Sequence, residues 1–428
     1  MRSFNTRSRI AVAASAALLL ALAGCSSDNG SSGGGSVDEA VGQNLDGRGA
    51  ITFAMGKNDV DKLQPVIEKW NAAHPDEQVT LKELAGEADD QRNQLVQSLQ
   101  AGNADYDVMA LDVTWTAEFA ANGWLQPLEG ELAIDTAALL PATVDSATYR
   151  GTLFAAPQNT NAQLLYYRTD LVPAAPADWK ALTDSCAVAT EKSVDCLVTQ
   201  LKQYEGLTVN STQFINSWGG SVVADDGKTP EVESPESKAG LQAMVDAYTA
   251  GQIAKRSTSF TEEETNLAFV GGESLYAYNW PYMYTNAEKD GSAVQGKVAV
   301  APIVGPAGAG ASTLGGYNDG INVFSKSKAT ARDFVAFIQN PENQMSFADA
   351  SFPPVLASVY DDPALIAKYP YLPALKAALE NAQPRPVTPY YSQISKAIQD
   401  NATAALTGKV TVDQAAADMS AAIVNAAK

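Results

Sequence analysis

The sequence predicts an α/β protein built as two lobes. From residue 51 onward, short apolar runs alternate with amphipathic helical patterns, the order that builds a mostly parallel sheet flanked by helices. The chain holds 428 residues, more than the roughly 250–300 at which a single hydrophobic core stops growing. Its composition, 46% hydrophobic and 18% charged, is that of a packed globular protein rather than a disordered one. A sequence repeat of the kind that marks a solenoid or propeller is absent.

The chain opens with Arg2, Arg7 and Arg9, an apolar run over 10–22, and Leu22-Ala23-Gly24-Cys25 followed by Ser26-Ser27-Asp28. A basic head, an apolar stretch too short to span a bilayer and small residues before a cysteine read as a secretory leader over 1–24. Cleavage before Cys25 exposes a thiol that can carry lipid and an amine that can be acylated, so the expected product is anchored to the outer face of the cell membrane. Residues 25–49, rich in Gly and Ser, read as a flexible tether, with order beginning near Ile51.

Residues 51–55 form the first predicted strand, and a helix follows from Asp59 with Leu63, Val66, Ile67 and Trp70 on one face. A strand over 79–84, a helix from Asp89 or Asp90 carrying Leu95, Val96 and Leu99, and a strand over 106–111 complete the first set. The second set comprises a strand over 163–168, helices around 197–204 and 237–250, and strands over 274–278 and 297–302. A strand over 320–325 precedes a helix over 329–339, and the C-terminal third is mostly helical, with amphipathic stretches at 391–406 and 411–427.

The formal charge is −20 and becomes −23 once the three arginines of the leader are removed. No basic face is available to neutralise phosphates, so nucleic acid is excluded as a partner. The same charge repels anionic lipid, which leaves membrane attachment to Cys25. Beyond it only Cys186 and Cys196 remain, close together in a polar segment, and in an oxidising compartment that arrangement favours a disulfide over a metal or redox pair. The single histidine, His74, precedes Pro75 at a helix end, which leaves neither histidine-built zinc sites nor Ser-His-Asp catalysis much support.

Polar and aromatic residues gather at predicted strand ends, where open α/β sheets bind ligands. Asp112 and Trp115 follow the strand ending at Leu111; Asp112 either caps the next helix or accepts hydrogen bonds from paired hydroxyls. Residues 157–161 (Pro-Gln-Asn-Thr-Asn) are polar without charge and read as a turn or as a source of amides. Tyr276, Tyr278, Trp280, Tyr282 and Tyr284 bracket Asn279 and Pro281, with Trp280 and Tyr282 the best candidates to face a ligand. Leu314-Gly315-Gly316-Tyr317-Asn318-Asp319 offers backbone amides beside another aromatic, and lacks the Gly-Lys-Ser/Thr of a phosphate loop. Aromatic faces with Asp, Asn and Arg suit a pyranose, whose C–H faces stack and whose hydroxyls need paired donors and acceptors.

In these segments the chain resembles the extracellular solute-binding proteins of sugar ABC transporters, in their trehalose/maltose-binding branch. The resemblance rests on residues 112–119 (Asp-Val-Thr-Trp-Thr-Ala-Glu-Phe) with Gly123-Trp124-Leu125, on Leu164-Leu165-Tyr166-Tyr167-Arg168, Asn279-Trp280-Pro281-Tyr282, Leu314-Gly315-Gly316-Tyr317-Asn318, and 385–391 (Arg-Pro-Val-Thr-Pro-Tyr-Tyr). It implies a two-lobed periplasmic-binding fold of type II, maltose-binding-protein-like, with a hinge crossed three times. The implied lobes are 50–158 with 302–349 and 159–301 with 350–428, and closure around the ligand is a hinge motion. By motif, Asp112 would hold hydroxyls with Arg92 in support, Trp280 and Tyr282 would stack, Gly315, Gly316 and Tyr317 would close over the sugar, and Arg385 would donate. Asn58, Asp59, Asn159 and Asn161 complete the implied ligand-binding set. The chain departs from relatives that have Trp at the position of Tyr317 and Trp-Thr-Asp in place of Asn159-Thr160-Asn161.

The expected function is a monomeric, lipid-anchored receptor without cofactor or metal. It would bind an α-glucosidic disaccharide and present it to the membrane permease subunits of an ABC importer. The competing cargo is another oligosaccharide or a non-sugar solute, and the competing class is an enzyme. A glycoside hydrolase would use paired carboxylates such as Asp112 and Glu118; a ferric-ion carrier would use Tyr390 and Tyr391; a polyamine carrier would use the negative charge, against the arginines Arg92 and Arg385.

Overall fold

The computed structural model describes residues 40–224 and 226–428. The leader over 1–24, Cys25 and the tether up to residue 39 lie outside the described residues. The ten residues that follow, expected to belong to the tether, are instead packed on the body. Lys328 Nζ donates to Ala40 O at 2.6 Å, and Arg48 bonds Glu77 at 3.1 Å and Asp333 at 2.8 Å.

Two sheets organise the chain. The first has the order β2-β1-β3-β13-β6. β1 (Ile51–Gly56) runs parallel to β2 (Val79–Leu84), with Ile51 opposite Val79, and parallel to β3 (Val108–Asp112). β13 (Leu314–Ile321) is inserted antiparallel between β3 and β6 (Ala155–Ala162). β1 and β3 read as continuous apolar runs because helices cover both their faces. Phe53, Leu63, Trp70 and Phe334 pack on one side; Leu95, Leu99, Phe119 and Trp124 pack on the other.

The second sheet has the order β10-β7-β9-β8. β7 (Leu164–Arg168) lies antiparallel to both β10 (Val298–Pro302) and β9 (Ser274–Asn279), and β8 (Asp195–Val198) runs parallel to β9. Helices Glu205–Ser217, Pro235–Thr249, Tyr391–Leu406 and Val412–Ala426 share one core with this sheet. Helices Glu262–Val270 and Leu372–Glu380 build a second core on its other side. Two small hairpins, β4 (Thr148–Tyr149) with β5 (Thr152–Leu153) and β11 (Val304–Gly305) with β12 (Gly308–Ala309), decorate the connections.

The chain passes between the sheets three times. It crosses at Gln163, between β6 and β7, and returns over 303–313, between β10 and β13. The third passage follows helix Pro341–Asp349, where Phe347 and Phe352 belong to the first body's core and Val355 to the second's.

Several expectations change. The helix placed around 197–204 is strand β8 followed by a loop; the β-branched and apolar stretch 194–199 pairs with β9, and the helix starts at Glu205. The strand expected over 320–325 lies at 314–321, because the two glycines that suggested a loop allow close contact with β6. Residues 157–161 are no turn but the buried middle of β6. In the first sheet β2, β1, β3 and β6 run one way, as a mostly parallel sheet requires, and β13, which enters from the second body, runs against them; the second sheet is mixed, with β7 antiparallel to both its neighbours. Cys186 opens a helix, Cys186–Lys192, instead of sitting in a loop.

Cys186 and Cys196 are joined by a disulfide across a sequence separation of 10, tying that helix to β8. Closing so short a loop stabilises the fold by about 2–3 kcal/mol through the unfolded chain. Replacing both cysteines with serine should lower the stability by that amount in a denaturant titration; an unchanged midpoint would refute the assignment.

β13 and β6 also share a buried polar pair with one ionisable member, Asp319. Asp319 is fully buried, and its Oδ1 accepts from Gln158 Nε2 at 2.6 Å. Asp319 Oδ2 and Gln158 Oε1 both lack a donor among the described residues. Burial pushes this carboxyl well above its ordinary value of 3.8, against the smaller pull of Gln158. The folded state therefore holds a proton that the unfolded chain releases above about pH 4, and stability falls as pH rises until the folded carboxyl also ionises. Asp319→Asn should flatten that fall, so that its advantage over the parent grows between pH 4 and pH 8 in thermal unfolding; parallel profiles would count against a protonated Asp319.

Candidate functional site

The strand ends of both sheets meet at one cleft, whose volume with its open mouth is about 790 Å³. From the first body come Asn58 and Asp59 after β1, Gly86, Ala88 and Gln91 after β2, and Asp112 at the end of β3. From the second come Glu205 and Val209 on helix Glu205–Ser217, Glu262, Trp280 and Tyr282. The strands of the passages contribute Asn161, Gly315, Gly316 and Tyr317, and later segments add Ser351, Phe352 and Arg385.

Arg385 is the centre of the polar wiring. Its side chain is 1% exposed; NH1 donates to Glu205 Oε1 at 2.7 Å and NH2 to Asp112 Oδ1 at 2.9 Å. Asp112 Oδ1 also accepts from the backbone N–H and hydroxyl of Thr114 at 3.0 and 2.8 Å. Among the described residues, Asp112 Oδ2 is held only by the longer 3.3 Å contact to Arg385 and remains available to another donor. Glu205 further accepts from the hydroxyls of Tyr391 and Ser395. Burial pushes its carboxyl up to about 7, while Arg385 pulls the other way.

Burial likewise raises the carboxyls of Asp59, against the pull of Lys62, and of Glu262, which accepts from Tyr204 Oη at 2.7 Å. The cleft thus sets four carboxylates against Arg385 and Lys62. Lys62 Nζ lies 2.8 Å from Asp61 and 3.6 Å from Asp59. Such a surface accepts hydrogen bonds from hydroxyls and disfavours anions.

Aromatic faces form the apolar part. Trp280 is fixed by its backbone N–H to Asn279 Oδ1 at 2.8 Å and by its carbonyl, which accepts from Tyr166 Oη at 2.9 Å. Tyr282 Oη donates to Glu262 O at 3.1 Å, and Lys62 Nζ sits 5.7 Å from its ring centre. Gly315 lies under the indole: a Cβ there would stand 2.8 Å from Trp280 Cζ3. Gly316, at φ +123°, lies against β6, where a Cβ would be 2.4 Å from Asn159 O.

Ten of the residues singled out in the sequence meet here: Asn58, Asp59, Asp112, Asn161, Trp280, Tyr282, Gly315, Gly316, Tyr317 and Arg385. Two do not. Arg92 Nε donates to Glu118 Oε2 at 2.9 Å, and the guanidinium pairs with that carboxylate rather than supporting Asp112, because helix Ala88–Gln100 faces helix Thr116–Ala121 at that point. Asn159 is buried within β6, where its Oδ1 accepts from Tyr317 N at 3.0 Å and props the irregularity between Tyr317 and Asn318. Arg385 faces Asp112 and Glu205 as a buried bridge.

Glu205, Glu262, Gln91, Ser351 and Phe352 line the cleft without having been singled out. Glu205 and Glu262 shared one available signal, a carboxylate at a helix start; Gln91, Ser351 and Phe352 sit in segments with no distinguishing pattern. Of the competing chemistries, the carboxylate pair fails on geometry, since Glu118 is committed to Arg92 and does not line the cleft. Tyr391 is fully buried with its hydroxyl donating to Glu205, and neither it nor Tyr390 lines the cleft.

The sequence matches the profile described as bacterial extracellular solute-binding protein over residues 56–345. The chain belongs to that family. It is 32% identical over 379 residues to a probable ABC transporter-binding protein of Deinococcus radiodurans, covering 84% of this chain and 89% of the relative. It is 27% identical over 416 residues to the mannitol-binding protein of Pseudomonas aeruginosa, covering 87% and 91%. The fold is similar to maltose-bound MalE3 of T. maritima, with a TM-score of 0.83 and 33% identity over 87% of this chain and 98% of that one. The two sheets are accordingly the two lobes of a periplasmic-binding-protein fold, and these family members are binding proteins rather than enzymes.

Replacing Arg385 with Ala leaves Asp112 and Glu205 facing each other without a cation. The expected loss is about 3–5 kcal/mol of folding stability, read from chemical denaturation at pH 7; a loss below about 1 kcal/mol would mean the bridge is not formed.

Proposed function

We propose that the protein is the extracytoplasmic substrate-binding subunit of a carbohydrate ABC importer. It binds an α-glucosidic disaccharide of the trehalose or maltose kind in the cleft between the two lobes, whose limits fall at Gln163, within 303–313 and after Phe352 rather than at 158/159, 301/302 and 349/350, because β6 stays whole in the first sheet, β10 in the second and Phe352 in the first core. The observation that carries this reading is the cleft itself, in which Trp280, Tyr282 and Tyr317 stand beside Asp59, Asp112, Asn161 and Glu262. A sugar face of about 60 Å² laid on one ring contributes roughly 1.5 kcal/mol, and each hydroxyl donating to a carboxylate adds about 1.5–3 kcal/mol. Two stacked rings and a few such bonds reach the micromolar range after the cost of association.

In this assignment Asp112 accepts hydroxyl protons from one lobe and Glu262 from the other, while Arg385 positions Asp112 and does not itself reach the sugar. Gly315 gives Trp280 room to lie flat. The lipid on Cys25 would hold the monomer at the outer face of the membrane, where the closed form meets the permease subunits. Relatives that hold maltose and mannitol support a polyhydroxyl ligand. The mannitol-binding relative also favours a second reading, a linear polyol in place of the disaccharide.

Calorimetric titration of residues 26–428 with trehalose, maltose, sucrose, palatinose, longer α-glucans and mannitol separates the two readings. One-to-one saturation by a disaccharide is expected, and Trp280→Ala should weaken it about ten- to hundredfold, equivalent to roughly 1.4–2.8 kcal/mol. Binding of mannitol alone would replace the first reading by the second, and unchanged affinity in Trp280→Ala would remove the stacking assignment.

A further inference from the structure

Helix Ala88–Gln100 points its N-terminus at the other lobe. Glu87, its N-cap residue, lies between two residues that line the cleft, Gly86 and Ala88, and its carboxylate is paired with Lys202 Nζ. Lys202 follows β8 of the second sheet and stands three residues before Glu205. Two residues further along the helix end, Asp89 Oδ2 accepts from Gln399 Nε2 of helix Tyr391–Leu406 at 3.3 Å. Across the cleft, Lys62 lies against the ring of Tyr282. Each of these contacts joins the first lobe to the second at the rim and none requires a ligand.

We propose that Glu87 with Lys202, and Asp89 with Gln399 beside them, form a closing contact that fixes how much of the unliganded protein is shut and so scales its affinity for whatever the cleft binds. Opening the hinge separates the two lobes and must break these contacts, whereas bonds inside a lobe survive. A contact present in one of two conformers shifts their ratio by its full worth, and the apparent affinity follows the population of the binding-competent form.

The Lys202 and Glu87 side chains are 39% and 36% exposed, so solvent and salt screen them and the pair belongs at the modest end of ion-pair strength. The expected effect on affinity is about two- to fivefold at low salt. Glu264 also acts on Lys202, so reversing the lysine adds repulsion to both acids. These residues act outside the stacking and hydroxyl-binding set, and their role is to position the lobes.

The proposal rests on the hinged-receptor reading but not on the identity of the ligand, and its first test needs none. Small-angle scattering of the ligand-free protein at low salt should give a larger radius of gyration for Lys202→Glu and for Glu87→Lys than for the parent. The double reversal should restore most of the lost compactness, and added salt should expand the parent toward the single variants. Titration with maltose then supplies the second readout, a two- to fivefold weaker affinity in each single variant, regained in the double. Circular dichroism confirms that each variant is folded. Equal radii in all four proteins, or a double variant as open as the singles, overturns the proposal. Failure of maltose to bind any of them bears on the sugar reading alone, and the scattering result still decides this one.

Discussion

Arg385 is a full charge with almost no access to water, and the arrangement of the cleft follows from what makes that tolerable. Removing such a cation from solvent costs several kcal/mol unless its donors find acceptors in good geometry. The acceptors come from different parts of the chain: Asp112 ends a strand of the first sheet, Glu205 starts a helix over the second, and Arg385 lies in the last irregular stretch. The ion triad therefore joins segments separated by 180 and 273 positions in sequence. It also fixes the direction of Asp112, which lines the cleft, in this arrangement of the two lobes.

The aromatic side of the cleft depends on an absence. At Gly315 and Gly316 the chain comes so near Trp280 and β6 that even a methyl group has no room. The same two residues make β13 flat enough to lie between β3 and β6, so one sequence feature serves both the sheet and the indole. Asn159 participates from behind, holding the backbone of Tyr317 where the strand register slips. The ring of Tyr317 is thereby presented to the cleft by a hydrogen bond that lies outside it.

Much of this architecture was legible in sequence, for physical reasons that differ by element. Helices with a clean apolar face, such as those carrying Leu63, Val66, Ile67 and Trp70, or residues 391–406, were readable because burial on one side imposes a 3.6-residue period. β1 and β3 were readable because both faces are covered. The segments that failed sit where the lobes join. Residues 157–161 and 314–319 are strands made of amides, glycines and an acid, and only tertiary pairing turns them into sheet. β8 was lost for the opposite reason, since a four-residue strand beside a disulfide leaves too little pattern. Within the site, residues on strand ends with aromatic or acidic character were found, and Arg92 was misplaced because nothing local distinguishes an arginine facing the cleft from one facing the neighbouring helix. Glu205 and Glu262 each open a helix, a local signal that does not tell a carboxylate turned into the cleft from one that serves its own helix end.

The ten residues packed before β1 have a geometrical corollary. Ala40 and Arg48 are bonded to Lys328, Glu77 and Asp333, all in the first lobe, while helix Val412–Ala426 belongs to the core of the second. The two extremities of the described chain thus ride on opposite bodies. Anything joined ahead of residue 40 shares the frame of the first lobe, and anything joined after the last helix shares that of the second. Rotation about the hinge becomes a change in distance between the two ends. A pair of chromophores fused there would convert sugar capture into an optical signal without touching a single residue of the cleft.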